Sequence, residues 1–226
     1  MQPTVTGGLE GFSRRFDVRW QFFERIRGSG KVLELGCGSG INYENLRTIA
    51  PTTEYYGVDL LAPEKAPLGI HYARIDLDRE ALPYPDGSFD AILFTHVIEH
   101  LRDPLSLGKE IHRVLKRGGA VYVETPNWTS ALVPSFRFKA EQHNPFNFFD
   151  DPTHVRPFTK QSLFEFLGES CRLRVERIAT VRNWPRIPWD CLKILLNLAR
   201  GNRKKVINAF WNIYGWCIFG IGIKEE

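Results

Sequence analysis

Cysteine is scarce in this chain, and its spacing excludes two kinds of small, cross-linked protein. The four cysteines among 226 residues lie far apart, so none forms a pair with metal-ligand spacing, and the chain is not a short disulfide scaffold. The first ten residues also lack a basic flank followed by an apolar run, which disfavours a secretory signal. These absences favour a reducing compartment, and we expect the cytoplasm.

Neither the net charge nor the longest uncharged segment of the chain is sufficient to identify a binding partner. The formal net charge of +4 is too small to indicate a nucleic-acid-binding surface, so nucleic acid is not favoured as a partner. One uncharged stretch, residues 206–223, reaches the lower limit of length for a membrane-spanning helix. It contains two asparagines and three glycines, and we predict a helix followed by a strand there instead.

Short apolar runs alternate with helical patterns along the chain. The predicted strands are residues 31–35, 54–58, 70–75, 89–94, 120–124, 173–181 and 216–224. The predicted helices are residues 12–26, 41–49, 105–115 and 159–170, the last capped by Thr159, with further helical sequence in 185–214. Residues 116–119 are predicted as a turn. This alternation favours a doubly wound α/β fold on a mostly parallel sheet.

Three successive predicted strands end in residues suited to binding a nucleoside. The first runs into Gly36-Cys37-Gly38-Ser39-Gly40, where glycines allow a tight turn and close approach of a ligand. The second ends at Asp59, whose carboxylate can accept hydrogen bonds from both ribose hydroxyls, and the third ends at Asp76. Each feature alone has an ordinary explanation, a flexible turn or a surface acid. A phosphate-binding loop is disfavoured, because the glycine spacing and a lysine are both missing.

Longer motifs make the chain recognisable. Residues 32–40, Val-Leu-Glu-Leu-Gly-Cys-Gly-Ser-Gly, closely resemble the first motif of the Rossmann-like, class I S-adenosylmethionine-dependent methyltransferases, and Gly57-Val58-Asp59 resembles their second-strand acid. Further matching segments are residues 82–90, 97–101 and 115–119. The resemblance implies a single methyltransferase domain over 1–226, with a seven-stranded sheet and an antiparallel last strand. The segment 184–215 would then be a helical insertion before that strand.

The same resemblance implies S-adenosylmethionine as the cofactor. The cofactor-binding residues that it implies are Glu34, Gly36, Gly38, Gly40, Asp59, Asp76, Leu77 and Thr95. Glu34 and the glycines would surround the methionine part. Asp59 would hold the ribose, and Asp76 with Leu77 the adenine. Thr95, just after the fourth strand, would lie beside the sulfonium.

Two histidines are the predicted catalytic residues. His96 begins the sequence His-x-x-Glu-His after the fourth strand, and His154 lies in the long loop after the fifth. A hydroxyl acceptor needs a base or a metal ion to lower its pKa, and either histidine could be that base. The segment also resembles the Glu-x-x-Glu-His metal site of small-RNA 2′-O-methyltransferases, and ubiquinone-pathway O-methyltransferases whose later histidine matches His154. Because His96 stands where those families carry an acid, we predict no metal.

The acceptor is less well defined than the cofactor. We expect a small-molecule, lipid or glycan acceptor, methylated on oxygen, beside an acceptor-site loop rich in aromatic residues at 127–157. An RNA methyltransferase and a non-catalytic cofactor-binding protein are the alternatives. The aromatic and basic segment 184–215 is typical either of peripheral contact with a membrane or of packing within or between subunits. The oligomeric state stays open.

Overall fold

The computed structural model describes residues 14–135 and 147–225. Its strands are β1 (Lys31–Leu35), β2 (Glu54–Asp59), β3 (His71–Arg74), β4 (Phe89–Thr95), β5 (Leu115–Pro126), β6 (Arg174–Thr180) and β7 (Cys217–Ile223). Its α-helices are α1 (Val18–Arg25), α2 (Ile41–Leu46), α3 (Pro104–Val114), α4 (Lys160–Glu165), α5 (Ile187–Ala199) and α6 (Arg203–Tyr214). The start of the helix predicted from residue 12 and the middle of the loop predicted at 127–157 lie outside the described residues.

All seven strands belong to one sheet, in the order β3-β2-β1-β4-β5-β7-β6. The first five strands in that order are parallel, whereas β7 is antiparallel to both of its neighbours. The chain moves outward from β1 to β3 and then returns to β4 on the other side of β1. Ligands of such sheets bind at the carboxyl ends of the strands beside this reversal. The expected doubly wound sheet, with its antiparallel last strand, is confirmed.

Three predicted boundaries are wrong. The helix predicted over 12–26 becomes continuous only at Val18, because the Asp17 side chain caps α1 there by accepting from the Arg19 and Trp20 amides. Residues 116–119, predicted as a turn, belong to β5. Their backbone finds partners near the end of β7, where the Gly118 amide donates to the Lys224 carbonyl at 2.7 Å. Gly118 can do this because it takes a φ of 71°, which glycine adopts without strain. Helix α2 ends at Leu46 rather than at Ile49, because the next residues tighten into hydrogen bonds between positions three apart.

Apolar side chains bury both faces of the sheet. One cluster packs α3 and α4 against the strands and includes Leu33, Phe94 and Leu163, all fully buried. A second cluster lies under α1 and α2 and includes Phe22 and Tyr122. Burying each such side chain contributes about 1.5–3 kcal/mol relative to leaving it exposed. The two clusters hold the strand ends, and therefore the loops that follow them, at fixed positions.

The segment 184–215 is helical, as predicted. Helices α5 and α6 pack against each other as a hairpin between β6 and β7. The uncharged stretch 206–223 is divided between α6 and β7, which confirms the predicted helix and strand. None of the helices in residues 14–135 and 147–225 combines the length and the apolar character needed to cross a membrane.

A buried ion pair ties α1 to the sheet. Glu124, on β5, is 4% exposed, and its carboxylate lies 2.8 Å from the Arg19 guanidinium on α1. The hydroxyl of Tyr122 donates to the other carboxylate oxygen. Burial alone would raise the pKa of Glu124, but the charges of Arg19 and His96 hold that pKa well below its ordinary value. The carboxylate is therefore ionised at neutral pH, and α1 is held over the carboxyl end of β5.

We predict that Arg19→Met lowers the free energy of unfolding by about 3 kcal/mol at pH 7, because it leaves the buried Glu124 charge without its main partner. This is the lower end for a broken buried pair, since Arg19 keeps 26% of its side chain exposed. The pKa of Glu124 is depressed, so the pair contributes its full stabilisation above the unfolded-state pKa of about 4. The loss in the variant should shrink progressively as the pH falls below that value towards the depressed pKa of the folded state.

Urea unfolding at several pH values measures this effect. Arg25→Met is the matched control, because Arg25 lies on the same helix but pairs with Glu176 on the surface. We expect that control to cost less than about 1 kcal/mol. An equal loss in both variants would show that the buried pair stabilises the protein no more than the surface pair does.

Candidate active site

The loop after β1 is built on three glycines in the left-handed region. Gly36, Gly38 and Gly40 have φ values of 71°, 47° and 77°. A Cβ on Gly36 would lie 2.2 Å from the Val97 side chain, so no larger residue fits beside it without movement. A Cβ on Gly38 would meet no described atom within 4 Å, and Gly38 lines the cavity described below. The backbone at Gly38 is therefore open to a ligand.

Glu34 is an acid buried at the end of β1. Its side chain is held by Asn42, which donates an amide hydrogen bond to it, and by the Tyr55 hydroxyl at 2.7 Å. Burial raises the pKa of Glu34 to about 7, although both hydrogen bonds and Arg19 act in the opposite direction. Asn42 also donates to the Thr95 hydroxyl at 3.2 Å. Asn42 thus joins the ends of β1 and β4.

Asp59 and Asp76 lie where the sequence places them, at the carboxyl ends of β2 and β3. Asp59 accepts hydrogen bonds from the amides of Gly38 at 2.8 Å and Leu61 at 3.2 Å, and so it also shapes the glycine loop. Asp76 is partly exposed, as Asp59 is, and lies 3.5 Å from the Arg79 guanidinium. Leu77 packs at the edge of the apolar core.

A cavity of about 560 Å³ opens at the carboxyl ends of β1 and β4. Six of the predicted site residues line it, namely Glu34, Gly36, Gly38, Thr95, His96 and His154. The other four, which are Gly40, Asp59, Asp76 and Leu77, border the neighbouring strand ends and are not part of its wall. The structure therefore brings both predicted catalytic histidines to one cavity with the acid of β1.

His96 projects into this cavity from a strained backbone. It is a non-glycine residue with a positive φ of 54°, a conformation that often occurs at functional sites. Its Nδ1 lies 3.4 Å from a Glu99 carboxylate oxygen, and its Nε2 lies 3.4 Å from Glu124. Burial lowers the pKa of His96, but Cys217 and the two carboxylates outweigh it and raise that pKa well above the ordinary value. His96 is therefore a cation at neutral pH.

His154 has the opposite electrostatic environment. Its Nδ1 donates to the Phe148 carbonyl at 2.6 Å, which leaves Nε2 as the acceptor, and the Phe148 ring packs against the imidazole. Only 4% of its side chain is exposed, and Asp151 lies 4.0 Å from Nε2. Burial is the main reason that the pKa of His154 is lowered. His154 is therefore neutral at neutral pH and can accept a proton at Nε2.

Several residues of the site were missed in the sequence. They are Arg19, Asn42, Glu124, Trp211, Trp216 and Cys217, which line the cavity or contact His96. Glu124 carries a signal that could have been found, because it is an acid that directly follows the run Ala-Val-Tyr-Val of residues 120–123, near the carboxyl end of the predicted strand. Arg19 and Trp211 carry no such signal, since they come from helices far away in the sequence.

Two groups of side chains in the described residues could also bind a metal ion. Glu99, His100 and His154 offer ligand atoms within 4.8 Å of one another, and so do His96, Glu124 and Cys217. One oxygen of the buried Glu99 carboxylate has no hydrogen-bond partner. Glu99 is otherwise structural, since its other oxygen accepts from Thr125 and its carbonyl accepts from the Val155 amide. The absence of a metal thus stays a prediction.

Comparison with known proteins agrees with this geometry. The family model described as a methyltransferase domain matches residues 12–169. A probable S-adenosylmethionine-dependent methyltransferase of Mycolicibacterium smegmatis is 31% identical over 166 residues, which cover 72% of this chain and 59% of the relative. This chain therefore spans less than two thirds of that relative.

Two solved structures have the same fold. One is an O-methyltransferase of a Brevibacillus brevis trans-AT PKS multienzyme, in complex with S-adenosylhomocysteine (TM-score 0.58, 19% identity, 96% of this chain and 72% of that one). The other is a chain described as a methyltransferase, solved with the Trm112 activator of Haloferax volcanii (TM-score 0.64, 17% identity, 96% and 95%). The family match and the shared fold confirm the resemblance seen in the motifs. The chain belongs to the Rossmann-like, class I family of S-adenosylmethionine-dependent methyltransferases.

Proposed function

We propose that this protein transfers a methyl group from S-adenosylmethionine to a hydroxyl oxygen of a small-molecule, lipid or glycan acceptor. The observation that carries the proposal is the pair of histidines on one cavity whose pKa values are shifted in opposite directions. Two titratable groups with such different environments are typical of an acid–base pair in an active site. The O-methyltransferase with the same fold supports oxygen as the acceptor atom.

The residues at the ends of β1 and β2 are suited to hold the cofactor. Glu34 lines the cavity and would face the ammonium of the methionine part, and the open backbone of Gly38 allows close approach. Asp59 keeps acceptor capacity on its carboxylate for the ribose. The remaining residues that we assign to the cofactor are Gly36, Gly40, Asp76, Leu77 and Thr95. When bound, S-adenosylmethionine supplies an electrophilic methyl group on a positively charged sulfur.

The two histidines would have different roles at the acceptor hydroxyl. His154 would accept the hydroxyl proton at Nε2, because its Nδ1 hydrogen is committed to the Phe148 carbonyl. His96, held as a cation by Glu99 and Glu124, would place its positive charge near the acceptor oxygen and stabilise the negative charge that develops there. The aromatic rings of Trp211 and Trp216 suit an acceptor with an apolar part next to its hydroxyl.

One neighbour in fold favours a second candidate. The methyltransferase that is solved with the Trm112 activator supports methylation that depends on a protein partner. The RNA methyltransferase considered from the sequence is the corresponding alternative for the acceptor. A screen with methyl-labelled cofactor separates the two candidates if phenols, hydroxylated lipids, glycans and RNA are tested side by side. Labelling of RNA alone would replace the proposed acceptor class. If none of the tested acceptors is labelled, the result would favour a non-catalytic cofactor-binding protein.

For the cofactor, we predict that the affinity for S-adenosylhomocysteine rises by about tenfold from pH 6 to pH 8. The pKa of Glu34 is about 7 in the free protein, so at pH 6 the acid must first lose a proton before it can pair with the ligand ammonium. Glu34→Gln should remove this pH dependence. Calorimetric titration measures it, with Glu44→Gln on the exposed side of α2 as the control. The assignment of Glu34 fails if the variant keeps the wild-type pH dependence.

For catalysis, we predict a bell-shaped pH profile of kcat with a wide plateau across neutral pH. Activity falls on the acid side, as His154 takes up a proton below its ordinary pKa of about 6.5, and on the alkaline side, as His96 loses one well above that value. His154→Ala should lower kcat by about 100-fold or more and remove the acid limb. His96→Gln should remove the alkaline limb.

The control for this profile is His71→Ala, since His71 is exposed on β3 and lies outside the cavity. Its kcat and both limbs should match the wild type at saturating substrates. A His154→Ala enzyme that keeps the acid limb would show that another group is the base.

A chelator is expected to leave turnover unchanged, because we assign the free nitrogen of His154 to proton transfer rather than to metal ligation. The measurement is the rate after treatment with a chelator and dialysis, before and after addition of divalent ions. Complete loss that a divalent ion reverses would instead make Glu99, His100 and His154 a metal site.

A further inference from the structure

Helix α5 exposes an apolar face to solvent. Five of its large side chains are between 43% and 69% exposed, and they are Trp189, Leu192, Leu195, Leu196 and Leu198. Pro188, Cys191 and Ala199 complete the exposed side of the helix. We call these eight residues the outer face of α5. At helical spacing they cover about half of the helix circumference, and no charged residue lies among them.

The inner side of α5 is polar, which is the reverse of an ordinary surface helix. Its two buried residues are Asp190 and Asn197. The Asp190 carboxylate accepts from the Asn212 amide of α6 at 2.7 Å and lies 3.3 Å from Arg186. The Asn197 side chain donates to the Lys193 carbonyl. The hairpin therefore satisfies its polar groups internally and leaves its apolar groups outside.

Exposure of these apolar side chains to water is unfavourable in free energy. Covering an exposed leucine side chain is favourable in proportion to the apolar area removed from water, and the outer face of α5 has four partly exposed leucines. A continuous apolar patch of this kind usually marks an interaction surface. The inverted pattern predicts that the outer face of α5 meets an apolar phase or an apolar partner.

The charges around this face favour a particular partner. Residues 184–215 contain six basic residues and a single acidic one, Asp190, which is buried inside the hairpin. Arg200, directly after α5, and Lys205, in the first turn of α6, are both exposed at this end of the hairpin. A second copy of this chain would bring the same positive charges and no exposed acid from this segment to meet them. An anionic surface meets them with opposite charge.

We propose that the outer face of α5 lies on an anionic lipid bilayer, with the helix parallel to the membrane plane. The leucines would enter the boundary between headgroups and acyl chains, while Trp184 and Trp189 lie at the headgroup level. Arg200 and Lys205 contact anionic headgroups at the end of the hairpin. Because Trp211 of the same hairpin lines the active-site cavity, the membrane-bound element is also a wall of the site.

The test is sedimentation of the full chain with vesicles that contain equal parts of phosphatidylcholine and phosphatidylglycerol, or phosphatidylcholine alone. We expect binding to the anionic vesicles at about 50 mM salt, and much weaker binding at about 500 mM salt or without the anionic lipid. The assay needs no acceptor and no turnover. Its failure is therefore distinguishable from failure of the proposed methyl transfer.

Two double variants separate the apolar and the charged contributions. Leu192→Gln with Leu195→Gln should weaken binding to anionic vesicles by about tenfold or more, since it removes the centre of the outer face of α5. Arg200→Gln with Lys205→Gln should weaken it by a similar factor and reduce the salt dependence. The matched control is Leu105→Gln, a leucine on α3 that is 60% exposed outside the hairpin. Circular dichroism and thermal unfolding check that each variant folds.

The exposed Cys191 offers an independent readout, because the other three cysteines are buried. A nitroxide attached to Cys191 should become more accessible to oxygen and less accessible to a polar nickel complex when anionic vesicles are added. The proposal is wrong if the protein stays in solution with anionic vesicles at low salt, or if the Leu192 and Leu195 variant binds as the wild type does. A dimer in solution that this variant dissociates would instead assign the face to a second copy.

Discussion

The carboxylate of Glu124 sets the constraint on which the site depends. It is buried at the end of β5, and a charge in that position needs partners from every side. Arg19 comes from α1, Tyr122 from β5 itself and His96 from the loop after β4. Three separate parts of the chain are thus fixed around one ionised group. The glycine loop and the cavity are built next to this cluster.

The position of Glu124 also explains why two histidines on the same cavity differ so much. His96 lies between two carboxylates, so its proton is stabilised although the residue is partly buried. His154 is enclosed by the Phe148 ring and donates to a backbone carbonyl, so a second proton has little to stabilise it. In the sequence, His96 directly follows the fourth predicted strand and His154 lies in the long loop after the fifth, and neither context indicates its charge. Only the fold distinguishes their surroundings.

Much of the fold could be predicted from the sequence, because it depends on local patterns. Alternating strands and helices, and glycines or acids at strand ends, are recorded in neighbouring residues, and they located β1, Asp59 and the loop that contains Gly38. The turn predicted at 116–119 was wrong because its backbone partners come from Lys224, more than a hundred residues away.

Separation along the sequence also limits how much of the site could be predicted. Arg19 and Trp211 reach the cavity from opposite ends of the chain, and no spacing rule connects them with His96. The sequence also could not predict whether the leucines of α5 face the protein or the solvent, because an amphipathic pattern does not say which side of a helix faces the protein. That side is decided by Asp190 and its contacts with α6.

The position of β7 has a consequence for the order of folding. This strand follows β6 in the chain, yet it lies between β5 and β6, and β6 has no other neighbour among the described strands. During synthesis β6 therefore emerges with no strand to pair with, and two helices are made before its partner appears. Its hydrogen-bonding edge stays open for that interval, and an unpaired edge is a site of aggregation. Strand β6 carries three exposed charged residues, Arg174, Glu176 and Arg177. These charges disfavour pairing of β6 with another chain before β7 has been synthesised.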